Sequence, residues 1–157
     1  MNYTEPTTLK VAILDLYEGV ENQGMRCIRE ILNQFADSNH LNLEKTEFDV
    51  RLRHEAPGLD FDIYISSGGP GSPLDTEGND WEKKYFGWLS AVEAYNNNEA
   101  NVFKKKVFFI CHSFQLLCRH YGVGNVTKRK STAFGVFPVH YLPGAENEQI
   151  FSGLKDP

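Results

Sequence analysis

The sequence predicts an α/β protein with a mainly parallel sheet and helices on both of its faces. Three observations carry that prediction. Leu9–Leu16 is an almost continuous apolar run, the signature of a strand buried on both sides. Apolar residues at helical spacing follow it, from Met25 to Phe35. The same alternation of a short apolar run with a helical pattern then recurs towards Tyr121, giving the order β-α-β-β-α-β-α.

Composition sets the frame for these elements. The chain has 157 residues, 41% hydrophobic and 24% charged, which fits one globular domain spanning 1–157. A net charge of −5 argues against nucleic acid and anionic membrane as partners. The two dense basic stretches, Lys104–Lys106 and Lys128–Lys130, read as solvated edges of predicted strands. Cys27, Cys111 and Cys118 are an odd count without short paired spacing, which argues against a disulfide framework and a zinc site. His and carboxylate residues show no ligand spacing, so neither a metal nor another cofactor is expected. No apolar run is long enough to span a membrane, and residues 1–8 lack the plan of a signal peptide, so a cytoplasmic location is expected.

Along the chain, Leu9–Leu16 is the first strand. Asp15 near its end would lie at the carboxyl edge of the sheet, where open α/β folds place ligands, although capping the following loop is the plainer role. Asn22 is a candidate N-cap. Met25, Ile28, Ile31, Leu32 and Phe35 then mark the buried face of a helix that ends near Asp37–Asn39. Cys27 belongs to that helix without a chemical role. Thr46–Arg53 alternates Phe48, Val50 and Leu52 with charged residues, which predicts a strand near an edge with one wet face. Phe61–Ser66 is the next strand.

After it comes S-S-G-G-P-G-S-P, Ser66–Pro73. Its glycines and prolines exclude helix and strand and leave backbone N–H groups uncovered by side chains. A loop of that kind at a strand's carboxyl end can cradle an anion or an oxyanion. It lacks the Lys of a G-x-x-x-x-G-K-[ST] phosphate loop. Trp81, Tyr85, Trp88, Leu89 and Val92 then form one packing face of a helix reaching about Tyr95.

Lys106–Tyr121, K-V-F-F-I-C-H-S-F-Q-L-L-C-R-H-Y, organises the rest. The apolar run Val107–Ile110, read as a central strand, leads straight into Cys111, and a helical pattern with Leu116, Leu117 and Tyr121 follows with no Gly or Pro between. A thiol at such a corner is pushed out of the sheet, facing the free N–H groups at the helix N-terminus. The thiolate is the reactive form of cysteine. A buried cysteine at a strand end is the structural alternative. Beyond Gly122, Val126–Lys130 and Ala133–Tyr141 read as strands, Pro143–Asn147 as a turn, and Ile150–Leu154 as a short turn-like segment.

Two motifs together, S-G-G-P-G-S-P after one strand and a strand–Cys–helix with Gln four residues past the Cys, resemble the class I glutamine amidotransferases. F-G-V-F-P-V at 134–139 and I-F-S-G-L-K-D-P at 150–157 also look like that family. The resemblance implies a flavodoxin-like fold, a Cys-His-Glu triad, and release of ammonia from glutamine through a γ-glutamyl thioester. It implies that Cys111 is the nucleophile, that the backbone N–H groups of Gly69 and His112 form the oxyanion hole, and that Gly71 and Gln115 line the glutamine pocket. A synthase domain or subunit would take the ammonia, one of nucleotide biosynthesis such as GMP synthase.

The chain departs from the family's pattern in three ways. The elbow G-x-C-x-G-x-Q is here Phe109-Ile110-Cys111-His112-Ser113-Phe114-Gln115, with a bulky Phe where the family has Gly. No H-x-E is present to supply the catalytic His and Glu, and His140 matches a strand position rather than the base. The family domain is also longer, so the sequence reads as truncated before the triad is complete. A γ-glutamyl peptidase or another Cys hydrolase would keep the same residues. A non-catalytic binding or docking module of this fold is the third possibility.

Overall fold

The structure is a computed structural model that describes residues 8–128, 130–131, 135–136, 138 and 140–154. The chain divides into two compact units, Met1–Thr127 and Lys128–Pro157.

The first unit is an α/β layer structure of the flavodoxin-like kind. Strands β1 (Thr8–Asp15), β2 (Asn42–Asp49), β3 (Ile63–Ser66) and β4 (Lys106–Phe109) form one sheet of order β2-β1-β3-β4. All three pairings are parallel. The helices are α1 (Gln23–Ser38), α2 (Asp80–Asn97) and α3 (His112–Tyr121).

The pleat of β1 explains how the sheet is covered. Val11 and Ile13 face one side and pack with Met25 and Ile28 of α1. Ala12 and Leu14 face the other and join the aromatic face of α2 with Leu116 of α3. Residues 11–14 are fully buried because β1 lies inside the sheet with helices on both faces. The α2 side is built from rings. Tyr64 of β3 meets Trp88 at 5.3 Å between ring centroids, and Trp88 meets Tyr85 at 5.4 Å.

Local chemistry fixes the helix ends, at Asn22 as expected. The Asn22 side chain accepts a 2.8 Å hydrogen bond from the Met25 N–H, so Asn22 caps α1. Gly122 closes α3 in the left-handed conformation at φ 62°.

Several elements differ from the sequence expectation. Strand β2 stands at the end of the strand order as predicted but runs four residues earlier, because its extent is set by residue-for-residue pairing with β1, from Thr8↔Asn42 to Asp15↔Asp49. Val50 and Arg51 leave the strand and become buried, whereas Leu52 is exposed. Strand β4 was read as central, but it is the last of the four described strands, and Phe108 is half exposed. On α1, Ile31 and Phe35 are exposed, and Ala36 is buried instead. Residues 126–128 and 130 are not strand, so the strand expected at Val126–Lys130 does not form among the described residues. Residues 133, 134, 137 and 139 of the strand expected at Ala133–Tyr141 lie outside the described residues, and those described there are not strand.

The second unit carries two short 3-10 turns, Ala145–Asn147 and Gln149–Phe151, where the sequence predicted turns. Within it the rings of Tyr141 and Phe151 lie 5.3 Å apart.

Candidate functional site

The carboxyl ends of β1, β3 and β4 bring three segments of sequence together. Cys111 sits between β4 and α3 with φ 52° and ψ −103°. A non-glycine residue in that conformation is strained, and sharp strand-to-helix corners that present a nucleophile store strain of this kind. The residue is exposed, so the buried structural alternative does not hold.

The corner forms in spite of Phe109. That side chain is partly buried against the α2-side core, so its bulk is turned away from the bend. Ser113 supplies the small residue on the far side and is fully buried. Its hydroxyl lies 2.8 Å from the Ser66 carbonyl and accepts a 2.9 Å bond from the Ile110 N–H. The Ile110 N–H also donates to the Ser66 carbonyl at 2.9 Å. The elbow is thus tied to the end of β3, where the glycine loop begins.

That loop passes beside the thiol. A Cβ on Gly68 would lie 3.5 Å from the Cys111 Cβ and 3.1 Å from the Tyr17 hydroxyl. A Cβ on Gly69 would lie 2.5 Å from the Leu16 carbonyl oxygen, so only glycine fits. Gly71 has φ 81°, the left-handed region that glycine enters without penalty. Among the described residues, neither the Gly69 nor the His112 backbone N–H donates a hydrogen bond. Gly71 and Gln115 are exposed.

The loop is stitched to the segment after β1. The Leu16 N–H donates to the Ser67 hydroxyl at 2.9 Å, that hydroxyl donates to the Gly68 carbonyl at 2.8 Å, and the Ser67 N–H reaches the Leu14 carbonyl at 3.0 Å. Asp15 accepts a 2.8 Å bond from the Tyr17 N–H, so it caps its own loop, the plainer of its two expected roles. Burial, the largest influence, holds its carboxyl above the usual carboxylate range. A separate cleft of about 660 Å³ at the start of α1 is lined by Asp15, Asn22, Arg26 and Arg29 among others.

Neither histidine of the elbow and its helix, His112 or His120, pairs with the thiol. The His112 ring is buried, and neither of its nitrogens has a hydrogen-bond partner. Burial, and then the charges of Arg51 and Arg119, push its pKa down to about 4, so the ring is neutral. The Gly71 carbonyl pulls weakly the other way, from a geometry short of a hydrogen bond. His120 stacks on Phe86 at 4.0 Å. No cluster of His, Cys, Asp or Glu among the described residues could hold a metal ion. No helix among them is long and apolar enough to cross a membrane.

Sequence reasoning passed over two residues here. Tyr17 brings a phenol to the loop beside Cys111, and burial followed by the nearby thiol raises its pKa. Its place two residues beyond Asp15, at the carboxyl edge of the sheet, was the available signal. Arg51 was assigned to a wet strand face, yet it is buried and donates to two backbone carbonyls of the site.

No family model matches the chain, and no curated protein matches it. Among solved structures, the chain is similar to a glutamine amidotransferase from Thermotoga maritima, with a TM-score of 0.47 and 14% identity over 73% of this chain and 43% of that one. It is also similar to the protein SMU.1228c, with a TM-score of 0.39 and 23% identity over 73% of this chain and 44% of that one. The chain therefore spans less than half the length of either.

Proposed function

We propose that this chain is a class I glutamine amidotransferase-like domain in which the Cys111 thiolate attacks the side-chain amide of glutamine. The observation that carries it is the strained, exposed Cys111 at the head of α3, with the Gly68–Gly71 backbone alongside. Attack forms a carbon–sulfur bond and moves the carbonyl electron pair onto oxygen. The free N–H groups of Gly69 and His112 are the donors for that oxyanion. Collapse of the adduct expels ammonia, which must take up a proton as it leaves, and a γ-glutamyl thioester remains on Cys111. Gly71 and Gln115 border the space for the glutamine. A synthase domain or subunit would receive the ammonia. The nucleotide-biosynthesis type, such as GMP synthase, rests on the glycine loop and the stretch at 134–139 alone.

One observation favours a second reading. His112 is buried and neutral and His120 is stacked on Phe86, so neither imidazole of the elbow and its helix is set to act as base. A binding or docking module that holds a γ-glutamyl group without turning it over would keep the rest of the site. A γ-glutamyl peptidase-type hydrolase would share the acylation step.

Treatment with a chloroketone analogue of glutamine, followed by peptide mass spectrometry, separates these readings. Selective adduct formation at Cys111 over Cys27, which is also exposed, competed by glutamine, is the expected result. Equal labelling of Cys27 and Cys111 would sink the catalytic reading. Steady-state glutamine turnover by this chain alone is expected to be very low. Turnover that is readily measured and abolished by Cys111→Ser would refute that expectation and show that a base is present.

A further inference from the structure

We infer that Arg51 is a positioning residue that clamps the oxyanion loop. The inference rests on the acylation step proposed above, but its geometry is independent of it. Arg51 lies just beyond β2 and is 8% exposed. One guanidinium nitrogen, Nη1, donates to the Pro70 carbonyl at 2.8 Å and to the Leu16 carbonyl at 3.3 Å. The other, Nη2, pairs with Glu18 at 2.7 Å. The guanidinium also lies 5.4 Å from the centroid of the Trp81 ring.

These contacts converge on the oxyanion donors. Pro70 follows Gly69 directly, so the bond to the Pro70 carbonyl anchors the loop one residue past the proposed donor, at the Pro70–Gly71 peptide. Leu16 presents the carbonyl against which Gly69 packs so closely that no Cβ fits. Arg51 therefore bonds both to the carbonyl that packs on Gly69 and to the loop just after it. Its charge also acts on His112, whose N–H is the second donor. Glu18, at φ 55°, and Gly19, at φ 70°, form a left-handed turn that the ion pair fixes from its outer side. A planar fork with several donors suits this work, whereas a lysine ammonium cannot reach two carbonyls and a carboxylate in fixed directions.

A clamp of this kind acts on carbonyl attack and not on the thiol itself. Two reactions of Cys111 separate the two. Iodoacetamide alkylation breaks a carbon–iodine bond and forms a carbon–sulfur bond, with no oxyanion. Acylation by γ-glutamyl p-nitrophenyl ester puts the carbonyl electron pair on oxygen before p-nitrophenolate leaves, so it needs the aligned donors. In Arg51→Lys the burst of p-nitrophenolate should slow by about 10- to 100-fold at saturating ester, with half-saturation unchanged. Alkylation of Cys111 should stay within about twofold of the wild type, because it uses no such donors. Hydrogen–deuterium exchange in a peptide covering 66–73 should also quicken several-fold in the variant. Arg51→Met should do the same more strongly, with Arg51→Lys serving if the Met variant does not fold.

An equal fall in burst and alkylation would overturn the inference, since it would mean a general loss of structure around the thiol. Unchanged exchange at 66–73 in a folded variant would overturn it as well. If the wild type shows no burst, the glutamine reading fails, and the exchange result alone decides whether the clamp exists.

Discussion

Cys111 shows how much one backbone angle decides. Its positive φ with a negative ψ is unfavourable for a side-chain-bearing residue, and the surrounding bonds keep it there. Ser113 is the main brace, through the Ser66 carbonyl and the Ile110 N–H. Ser113→Ala removes its bonds to these groups, which keep their own 2.9 Å bond to each other, and should destabilise the chain by about 0.5–1.5 kcal/mol in urea unfolding. A change below about 0.3 kcal/mol would mean that the elbow is braced elsewhere. His112 yields a pH prediction. Its folded pKa of about 4 lies below the usual 6.5, so the unfolded chain takes up the proton first on acidification. The neutral ring's contribution is full above pH 6.5 and is lost as the pH falls towards 4. At ~1.4 kcal/mol per pKa unit, stability should drop by about 2 kcal/mol between pH 7 and pH 5 through this residue. Chemical denaturation at the two pH values should show a clearly smaller drop for His112→Phe. Equal drops would mean that His112 is not held neutral.

At the scale of elements, amphipathic helices were legible where a cap or a ring pattern marked them. The Asn22 cap follows from sequence alone, and Asn22→Ala should lower stability by about 0.5–2 kcal/mol, read by thermal or urea unfolding. The five residues assigned to the packing face of α2 are all buried. On α3, Leu116 is fully buried between the sheet and α2, while Tyr121 is partly exposed. Leu116→Ala should therefore cost about 2–5 kcal/mol and loosen the seat of the elbow helix. A loss under 1 kcal/mol would show that α3 is only loosely docked. Strand β2 was misplaced because alternation reports which residues are apolar, not where a neighbour stops pairing. Phe48 and Val50 fit the pattern, but pairing with β1 ends at Asp49. The chain then turns, which carries Arg51 inward and Leu52 outward.

For the whole molecule, the buried apolar residues of the described chain all fall between Val11 and Leu116, and all but Ala36 form two clusters on opposite faces of one sheet. Hydrophobic burial on both faces, rather than covalent cross-links, holds the first unit together. Cys27, Cys111 and Cys118 are all free thiols. The thermal midpoint should consequently be unchanged, within about 1 °C, by a reductant, since a disulfide typically contributes a few kcal/mol. A larger fall on reduction would reveal a covalent link.

Local sequence specifies the α/β class, the order of the first seven elements, the Asn22 cap, the aromatic face of α2, the glycine loop after β3 and the cysteine corner after β4. Each is written in local chemistry: a run length, a spacing of apolar residues, a capping side chain, or glycines where no Cβ fits. Tertiary structure alone decided what lies between segments far apart in the chain. It turned Phe109 into the core, so that a bulky residue became compatible with a sharp elbow. It buried His112 among the charges of Arg51 and Arg119, which keeps the ring neutral. It carried Arg51 from an apparent wet face to the carbonyls of Leu16 and Pro70, 35 and 19 residues away. The direction a side chain takes after a strand ends depends on packing and on unpaired carbonyls contributed by other loops, and no local pattern in the sequence encodes those.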